Sequence, residues 1–334
     1  MFTHVSDALK APSIIQLKGN LFVARFETMK LYSTLAAVRL LLERGIVKPG
    51  DTLLDSSSGI YAHSLALVCL RYGLKCHIIA SRSVDASLLI QLKLLGVKVE
   101  GINASPTLKM DQELRVNRCK EIIANESGVH WMQQYHDDIH YAGYEEFADQ
   151  IISELGVSNL TIVSAVGTGC SSGGLRVNLT KKNVDFQLHA IQPYGSVSFG
   201  GQNVTDPGFV IAGIGSGIIC KNIKHEFYDK IHWVSDSYSM SGCIGLMRKY
   251  GVFSGLSSGA CHLVANREQK LNPDKGPILF ISPDTGHRYV ESVYKRHEEA
   301  EDMDLLEPTV ITTPEELVLP WSELDWKRQG ALTL

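Results

Sequence analysis

The 334-residue chain lacks the features that would assign it to several common classes of protein. It has no run of lysines and arginines and a formal net charge of −4, so its composition does not favour a nucleic-acid partner. No stretch reaches the roughly 18 apolar residues of a membrane span. The N-terminus also lacks the basic and apolar regions of a secretory signal. We therefore expect a cytoplasmic protein that binds neither nucleic acid nor membrane.

Paired cysteines are also absent from the sequence. The seven cysteines are scattered, and no two of them form a CxxC pair, which indicates reduced thiols rather than a disulfide framework or a zinc site. His136, Asp137, Asp138 and His140 lie within five residues. Two histidines four residues apart, without further clustered ligands, are weak evidence for zinc. We expect no metal site.

What the chain does contain is a regular alternation of short apolar runs and helical patterns. Strand patterns occur in "DTLLDSS", "KCHIIAS" and "VKVEGIN", and helical patterns separate them. This βαβαβ order predicts a parallel sheet. A second α/β unit begins at "LTIVSAV". The last thirty or so residues are acidic without a clear period, and we interpret them as an appended tail or arm.

The segment "AVGTGCSSGGL", residues 165–175, forms a glycine-rich corner after the apolar strand "LTIVS". Unpaired N–H groups at a helix start, approached closely through glycines, bind anions well. Thr168, Ser171 and Ser172 add hydroxyl donors. The alternative is a simple strand-to-helix turn with a packing glycine, because short glycine motifs often occur without function. The spacing matches neither the dinucleotide GxGxxG fingerprint nor a P-loop.

A second corner, "DSSSGIYAHS" at residues 55–64, has the same strand, turn and helix order. Ser56, Ser57, Ser58 and the neighbouring amides could hold a carboxylate. Taken alone, a serine helix cap with a glycine turn is the simpler interpretation. Two anion sites in one chain would suit a ligand with two acidic groups.

Eight blocks, in order, resemble the fold-type II pyridoxal-phosphate enzymes. They are "DSSSGIYAHSLAL", "MQQYHDDIHYAGYE", "VSAVGTGCSSGG", "AIQPYGSVSFGG", "IAGIGSGI", "VSDSYSM", "GVFSGLSSGACH" and "ISPDTGHRY". The chain is most similar to the cysteine synthase and cystathionine β-synthase-like group, including the diaminopropionate-forming synthases. The resemblance covers roughly residues 12 to 295.

The resemblance implies an α/β protein with two open parallel-sheet domains of the tryptophan synthase β-like type, in a homodimer. The smaller domain would span 37–142, the larger one 1–36 and 143–300, and the acidic tail 301–334.

The resemblance also implies a pyridoxal 5′-phosphate cofactor and an amino-acid-like ligand. It assigns the cofactor phosphate to Gly167, Thr168, Gly169, Cys170 and Ser171. It assigns the substrate carboxylate to Ser57, Ser58, Gly59 and Ile60, with Gln133 as a possible helper. The strand end "SPD" makes Asp284 or Thr285 the candidate that faces the pyridine nitrogen.

The chain departs from this family at two positions that serve the cofactor. The family stretch K-L-E-x-x-N-P-x-x-S-x-K ends in the Schiff-base lysine, but counting from either side places this position at Thr34 or Ala36. Lys30 is the only ammonium nearby, and it would need a shifted loop. Ile60 stands where the family asparagine would contact the ring hydroxyl. A threonine hydroxyl can neither form the imine nor act as the base for the α-proton near neutral pH.

Two hypotheses follow from these departures. In the first, the chain is a divergent family member without normal Schiff-base chemistry, acting as a non-canonical enzyme or a binding or partner subunit for an amino-acid or phosphorylated ligand. In the alternative, it is an active β-elimination or β-replacement enzyme for O-acetylserine, O-phosphoserine or a similar substrate, with Lys30 as the catalytic amine.

Overall fold

A computed structural model describes residues 1–81, 84–102, 108–156, 159–208 and 213–327. The strands are β1 (Ser13–Lys18), β2 (Leu21–Arg25), β3 (Thr52–Ser56), β4 (Lys75–Ala80), β5 (Lys98–Gly101), β6 (Val129–Trp131), β7 (Leu160–Ala165), β8 (Phe186–Gln192), β9 (Lys230–Val234), β10 (Ile278–Ser282), β11 (Thr309–Ile311) and β12 (Trp321–Asp325). The α-helices are α1 (Val5–Lys10), α2 (Lys30–Glu43), α3 (Ile60–Tyr72), α4 (Ala86–Leu94), α5 (Leu108–Asn125), α6 (Glu145–Leu155), α7 (Cys170–Lys181), α8 (Asp236–Tyr250) and α9 (Leu256–Leu271).

The strands form two sheets, which confirms the predicted α/β class. The four-stranded sheet has the order β5-β4-β3-β6 and is entirely parallel. Helix α3 connects β3 to β4 and ends at Gly73, whose φ of +64° is the left-handed conformation that glycine adopts readily at a helix end. Helix α4 connects β4 to β5. The pattern of strands and helices read from this part of the sequence is therefore observed.

The larger sheet has eight strands in the order β1-β2-β10-β7-β8-β9-β12-β11. Its five central strands, from β2 to β9, are parallel, and β1 pairs with β2 as an antiparallel edge. The central strands are mostly buried and rich in apolar residues, as expected for a parallel sheet covered on both faces.

The acidic C-terminal segment is not an appended tail, because it supplies two strands of the large sheet. Strand β12 pairs antiparallel with β9, and β11 pairs parallel with β12. Trp321 is buried, and its indole N–H donates to Nδ1 of His232 in β9 at 3.3 Å. Strand β12 is short and acidic, so its apolar pattern is weak, and the neighbouring strand is what orders it. Residues 328–334 of the predicted tail lie outside the described residues.

The fold brings the predicted corners to the carboxyl ends of parallel strands. The serine corner follows β3, the glycine corner follows β7, and Asp284 lies two residues after the end of β10. In open α/β sheets, loops and helix N-termini converge at these ends and form ligand sites. Among the described helices, none has both the length and the apolar character needed to cross a bilayer.

Candidate active site

A cavity of about 370 Å³ lies among these strand ends and is lined mainly by residues of the loops and helices that follow strands of both sheets. Its volume falls within the usual range for sites that hold a small molecule or cofactor. The predicted site residues that line it are Lys30, Ser57, Ser58, Gly59, Ile60, Gly167, Thr168, Ser171 and Asp284. The predicted residues that are not among its lining are Gln133, Gly169, Cys170 and Thr285. The structure therefore brings the glycine corner, the serine corner and Lys30 to one place.

Two glycines of the glycine corner pack directly against the backbone of neighbouring loops. A Cβ atom on Gly167 would lie 2.6 Å from the carbonyl oxygen of Gly213, and one on Gly169 would lie 2.3 Å from that of Asn222. Gly169 is also the N-cap of α7, with a φ of +83°. Both positions therefore require glycine. The N-terminus of a twelve-residue helix then faces the cavity through Thr168 and Ser171, which suits an anionic group.

Cys170 lies in this corner, but its thiol points into the protein. Its Sγ lies 3.1 Å from the carbonyl oxygen of Gln134 and 3.4 Å from Nδ2 of Asn222. Burial raises the pKa of the Cys170 thiol, which opposes formation of a reactive thiolate. The backbone N–H of Cys170 donates to Thr168 Oγ1 at 3.4 Å, while its side chain fills a packing position.

The serine corner presents hydroxyl groups whose oxygens are already used as acceptors. Ser57 Oγ accepts the N–H of Ala62 at 3.2 Å and that of Gly59 at 3.4 Å, at the start of α3. Ser58 Oγ accepts the N–H of Ser81 at 2.8 Å. Among the described residues neither hydroxyl has an acceptor for its proton, so each can donate to a ligand. The helix cap and the carboxylate site, stated above as alternatives, are compatible in this geometry.

Gln134, rather than the predicted Gln133, lines the cavity. Gln133 has a φ of +51° and its carbonyl accepts the N–H groups of His136 and Asp137, so it forms a turn. The Gln134 side chain donates to the carbonyl of Ser56 at 3.0 Å. Two adjacent glutamines cannot be distinguished from the sequence, because the backbone turn decides which of them faces inward.

Asp284, rather than Thr285, lines the cavity. Its Oδ1 is buried without a hydrogen-bond partner, whereas Oδ2 accepts the Tyr289 hydroxyl at 3.3 Å. Burial raises the pKa of Asp284 to about 6. Thr285 instead lies 2.9 Å from His287 Nδ1 at the exposed side of the turn. An unpaired buried carboxylate oxygen is costly, and such a group commonly belongs to a binding site.

Lys30 is the lysine that the described residues place in the cavity. Its Nζ donates to Thr168 Oγ1 at 3.3 Å, so the amine reaches the glycine corner from the first residue of α2. Thr34 is fully buried and its hydroxyl donates to the Lys30 carbonyl of its own helix at 2.9 Å. Neither Thr34 nor Ala36 lines the cavity.

Two arginines in the cavity wall were not identified from the sequence. Arg115 of α5 is buried, and its guanidinium binds Asp111 at 2.8 Å. Tyr135 and Gln112 lie in the same wall, and Arg288 enters from the turn after β10. The only sequence signal for Arg115 is its position four residues after Asp111, which is typical of any helical ion pair.

The cluster at 136–140 does not form a set of metal ligands. His140 is buried, with Nε2 3.0 Å from the Tyr61 hydroxyl and Nδ1 3.0 Å from the Asp137 carbonyl, and burial lowers its pKa to about 4. The described residues do group His189, His232 and Glu268 elsewhere in the large domain.

That second group has the character of an ion-pair network. The Lys230 ammonium lies 3.0 Å from Glu268 Oε1. Trp321 donates to His232 Nδ1, which leaves the proton of neutral His232 on Nε2. A protonated nitrogen is not a metal ligand, so we assign no metal there.

The residues of the cavity fit pyridoxal phosphate at three of its functional groups. The glycine corner suits the phosphate, the unpartnered Asp284 oxygen suits the ring nitrogen, and Lys30 offers an amine to the aldehyde. The ring hydroxyl finds no polar side chain at position 60, because Ile60 is aliphatic. The cofactor is thus compatible with this site, with a weaker hold on one edge of its ring.

Comparisons with known proteins agree with this geometry. The family model described as pyridoxal-phosphate dependent enzyme matches residues 24–284. N-(2-amino-2-carboxyethyl)-L-glutamate synthase of Ralstonia nicotianae is 28% identical over 265 residues, which cover 77% of this chain and 76% of that protein. The protein of the same name in Cupriavidus metallidurans is 26% identical over 259 residues, covering 76% and 74%.

Solved structures show the same fold. The cysteine synthase of Entamoeba histolytica has a TM-score of 0.79 at 20% identity, over 91% of this chain and 94% of that one. The O-acetylserine dependent cystathionine β-synthase of Helicobacter pylori has a TM-score of 0.75 at 21% identity, over 87% and 98%.

Proposed function

This chain belongs to the family of pyridoxal-phosphate dependent enzymes, and we propose that it catalyses β-replacement on a serine derivative with an acidic leaving group, using Lys30 as its active-site amine. The observation that carries this proposal is the position of Lys30 Nζ, in the cavity and 3.3 Å from Thr168 Oγ1. Bound pyridoxal phosphate supplies an aldehyde that captures amines and a ring that draws electrons from the α-carbon of an amino acid. The chain itself must supply an amine that can hold and release a proton at that carbon.

Helix geometry explains how Lys30 can replace a lysine at position 34. Residues four apart lie on the same face of an α-helix, separated by about 6 Å along its axis. Lys30 and Thr34 have this spacing in α2, and the Thr34 hydroxyl bonds to the Lys30 carbonyl. A lysine side chain is about as long as one helical turn. The Lys30 amine therefore reaches the cavity although its Cα lies one turn before position 34.

The cavity wall supports an acidic substrate. Arg115 is buried beside Tyr135 and Gln112, and the glycine and serine corners provide two further anion-binding elements. Arginine presents a planar fork that suits phosphate and carboxylate groups. Two relatives are named for making N-(2-amino-2-carboxyethyl)-L-glutamate. We therefore favour O-phosphoserine over O-acetylserine as donor, and an amino acid as the incoming nucleophile.

A second candidate function also has support. The Lys30 ammonium bonds within the phosphate corner, and Ile60 replaces a polar contact to the cofactor ring. In this candidate, Lys30 is a counter-ion for a non-covalently held phosphorylated ligand, and the chain is a binding or partner subunit or a non-canonical enzyme.

Trapping of the coenzyme distinguishes the two candidates. The purified protein would be incubated with pyridoxal phosphate, reduced with borohydride and mapped by mass spectrometry. We expect the adduct on Lys30, its loss in Lys30→Ala, and an activity loss on O-phosphoserine of at least about 10²-fold. Lys18→Ala, at an exposed site on β1, is the matched control. Bound coenzyme without any adduct would support the second candidate and contradict the first.

Two expectations stay predictions. The homodimer rests on family likeness, and the cytoplasmic location rests on scattered free cysteines, all seven of which are buried.

A further inference from the structure

We propose that Arg288 binds the α-carboxylate of the donor amino acid at the serine corner, an inference that rests on the proposed function for the identity of the donor. Arg288 lies in the short 3₁₀ helix Gly286–Tyr289 after β10 and lines the cavity. It lies near Gly59, which has no side chain to block it. Its role would be to supply positive charge where the serine corner supplies only neutral donors.

The guanidinium of Arg288 faces the serine corner with its two-nitrogen edge. A Cβ atom placed on Gly59 would lie 3.9 Å from both Nη1 and Nη2. Equal distances to both terminal nitrogens mean that this edge of the fork is directed at the corner. An edge with two parallel N–H groups is the geometry that arginine uses for bidentate carboxylate binding.

Arg288 also has unused hydrogen-bonding capacity. Its Nε is buried, and the described part of the chain offers it no acceptor. Asp85 lies nearby, but its carboxylate caps α4 by accepting the Leu88 N–H at 3.0 Å and the Ser87 hydroxyl. Asp284, the other acidic neighbour, accepts from Tyr289. A carboxylate at the corner would accept from Nη1 and Nη2, the edge that faces it, whereas the Nε–H lies on another edge of the guanidinium and is not reached from there.

The serine corner supplies the complementary donors. The hydroxyl oxygens of Ser57 and Ser58 accept backbone N–H groups, and no acceptor for either proton lies in the part of the chain that the structure describes, so both can donate to a ligand. The corner opens the thirteen-residue helix α3, whose N-terminus adds favourable polarity for an anion. Arg288 and this corner together form a carboxylate site with neutral donors on one side and a charge on the other.

Two phosphorylated amines test the proposal by equilibrium binding. O-phospho-L-serine carries an α-carboxylate, whereas O-phosphoethanolamine is the same molecule without it. Calorimetry on the coenzyme-loaded, borohydride-reduced protein, which cannot turn phosphoserine over, would compare both probes in the parent and in Arg288→Met. We expect Arg288→Met to weaken phosphoserine binding about tenfold to hundredfold and to leave phosphoethanolamine binding unchanged.

Two further variants separate binding from structure. Gly59→Ala keeps Arg288 and adds a methyl group at ordinary contact distance between it and the corner, so it should also weaken phosphoserine binding selectively. Arg296→Met, which removes an exposed ion pair with Glu299, is the matched control and should bind both probes normally. Thermal melting of each variant checks that it folds.

Three outcomes would overturn the inference. These are equal weakening of both probes in Arg288→Met, a parent that shows no preference for phosphoserine, or phosphoserine binding that is unchanged in Arg288→Met. Failure of the proposed function is distinguishable from these, because a parent that binds phosphoserine selectively without turning it over contradicts the reaction and leaves the carboxylate site supported.

Discussion

Replacing Asp284 by asparagine is expected to stabilise the ligand-free protein above pH 6. Burial raises the pKa of this carboxyl from an ordinary 3.8 to about 6. A carboxyl with a raised pKa in the folded state favours folding when protonated, and this contribution is lost as the pH rises from about 4 through 6. A shift of about 2 units at 1.36 kcal/mol each corresponds to about 3 kcal/mol. The ionised Asp284 therefore opposes folding by about this amount at pH 8.

Asparagine has nearly the same shape and no charge, so Asp284→Asn should recover most of this free energy. With an unfolding entropy of about 2.1 cal/mol/K per residue, a gain of about 3 kcal/mol corresponds to a rise in Tm of about 4 °C for a chain of this length. The assay is thermal or urea unfolding of the ligand-free protein between pH 5 and pH 8. The difference from the parent should be largest at pH 8 and about half as large at pH 5.

Asp55 provides the matched comparison, because burial also raises its pKa to about 6. Its Oδ1 accepts the Ser56 N–H at 2.7 Å and the Trp131 indole N–H at 3.1 Å, and its Oδ2 accepts the Gln134 N–H at 3.0 Å. Asparagine would place an NH₂ group against at least one of these donors, at a cost of about 1–3 kcal/mol. We expect Asp55→Asn to be no more stable than the parent.

The two results together decide whether the ionised Asp284 lowers the stability of the ligand-free protein. If Asp284→Asn is no more stable than the parent at pH 8, or if its advantage does not decrease towards pH 5, the reasoning from burial is refuted. A stabilised Asp284→Asn with weakened pyridoxal phosphate binding would be the expected trade-off between stability and function.

Three other predictions concern packing and chemistry outside the cavity. Gly143→Ala would place a Cβ 1.9 Å from the Tyr32 carbonyl oxygen, so it should lower the urea midpoint of unfolding strongly. Gly101→Ala is the control: its Cβ would meet no described atom within 4 Å, so the urea midpoint should change little. Trp321→Ala should cost about 3–5 kcal/mol in unfolding free energy and promote aggregation in light scattering, because it loosens the strand that covers the edge of β9. The seven buried cysteines should react with a thiol reagent much more slowly in native than in unfolded protein, and rapid native labelling would contradict their burial.

The alternation of apolar runs and helices was sufficient to predict the parallel α/β class, because strands and helices have different periods and the glycine corners are short, local signals. The corner at residues 165–175 illustrates this. Its role as the start of a helix after a buried strand follows from adjacent residues, and the structure places Thr168 and Ser171 in the cavity.

Side-chain direction could not be predicted in the same way. Gln134 lines the cavity instead of Gln133 because a turn with positive φ rotates the backbone between them. The thiol of Cys170 points towards Asn222, which is 52 residues away in the chain. Strand β12 also has too weak an apolar pattern to be recognised without the neighbouring strand β9 that orders it.

The sequence by itself determined the fold class and the positions of the glycine and serine corners, because each depends on residues close together in the chain, whereas Asp284 became a candidate only through the family resemblance. The tertiary structure decided which charged groups reach those corners. Lys30 meets Thr168 across 138 residues of sequence. Arg115, in α5, and Arg288, in the turn after β10, line the same cavity although they are far apart in the chain. Such contacts between distant residues depend on how the two sheets and their helices pack, and the periodicity of apolar residues in the sequence carries no information about them.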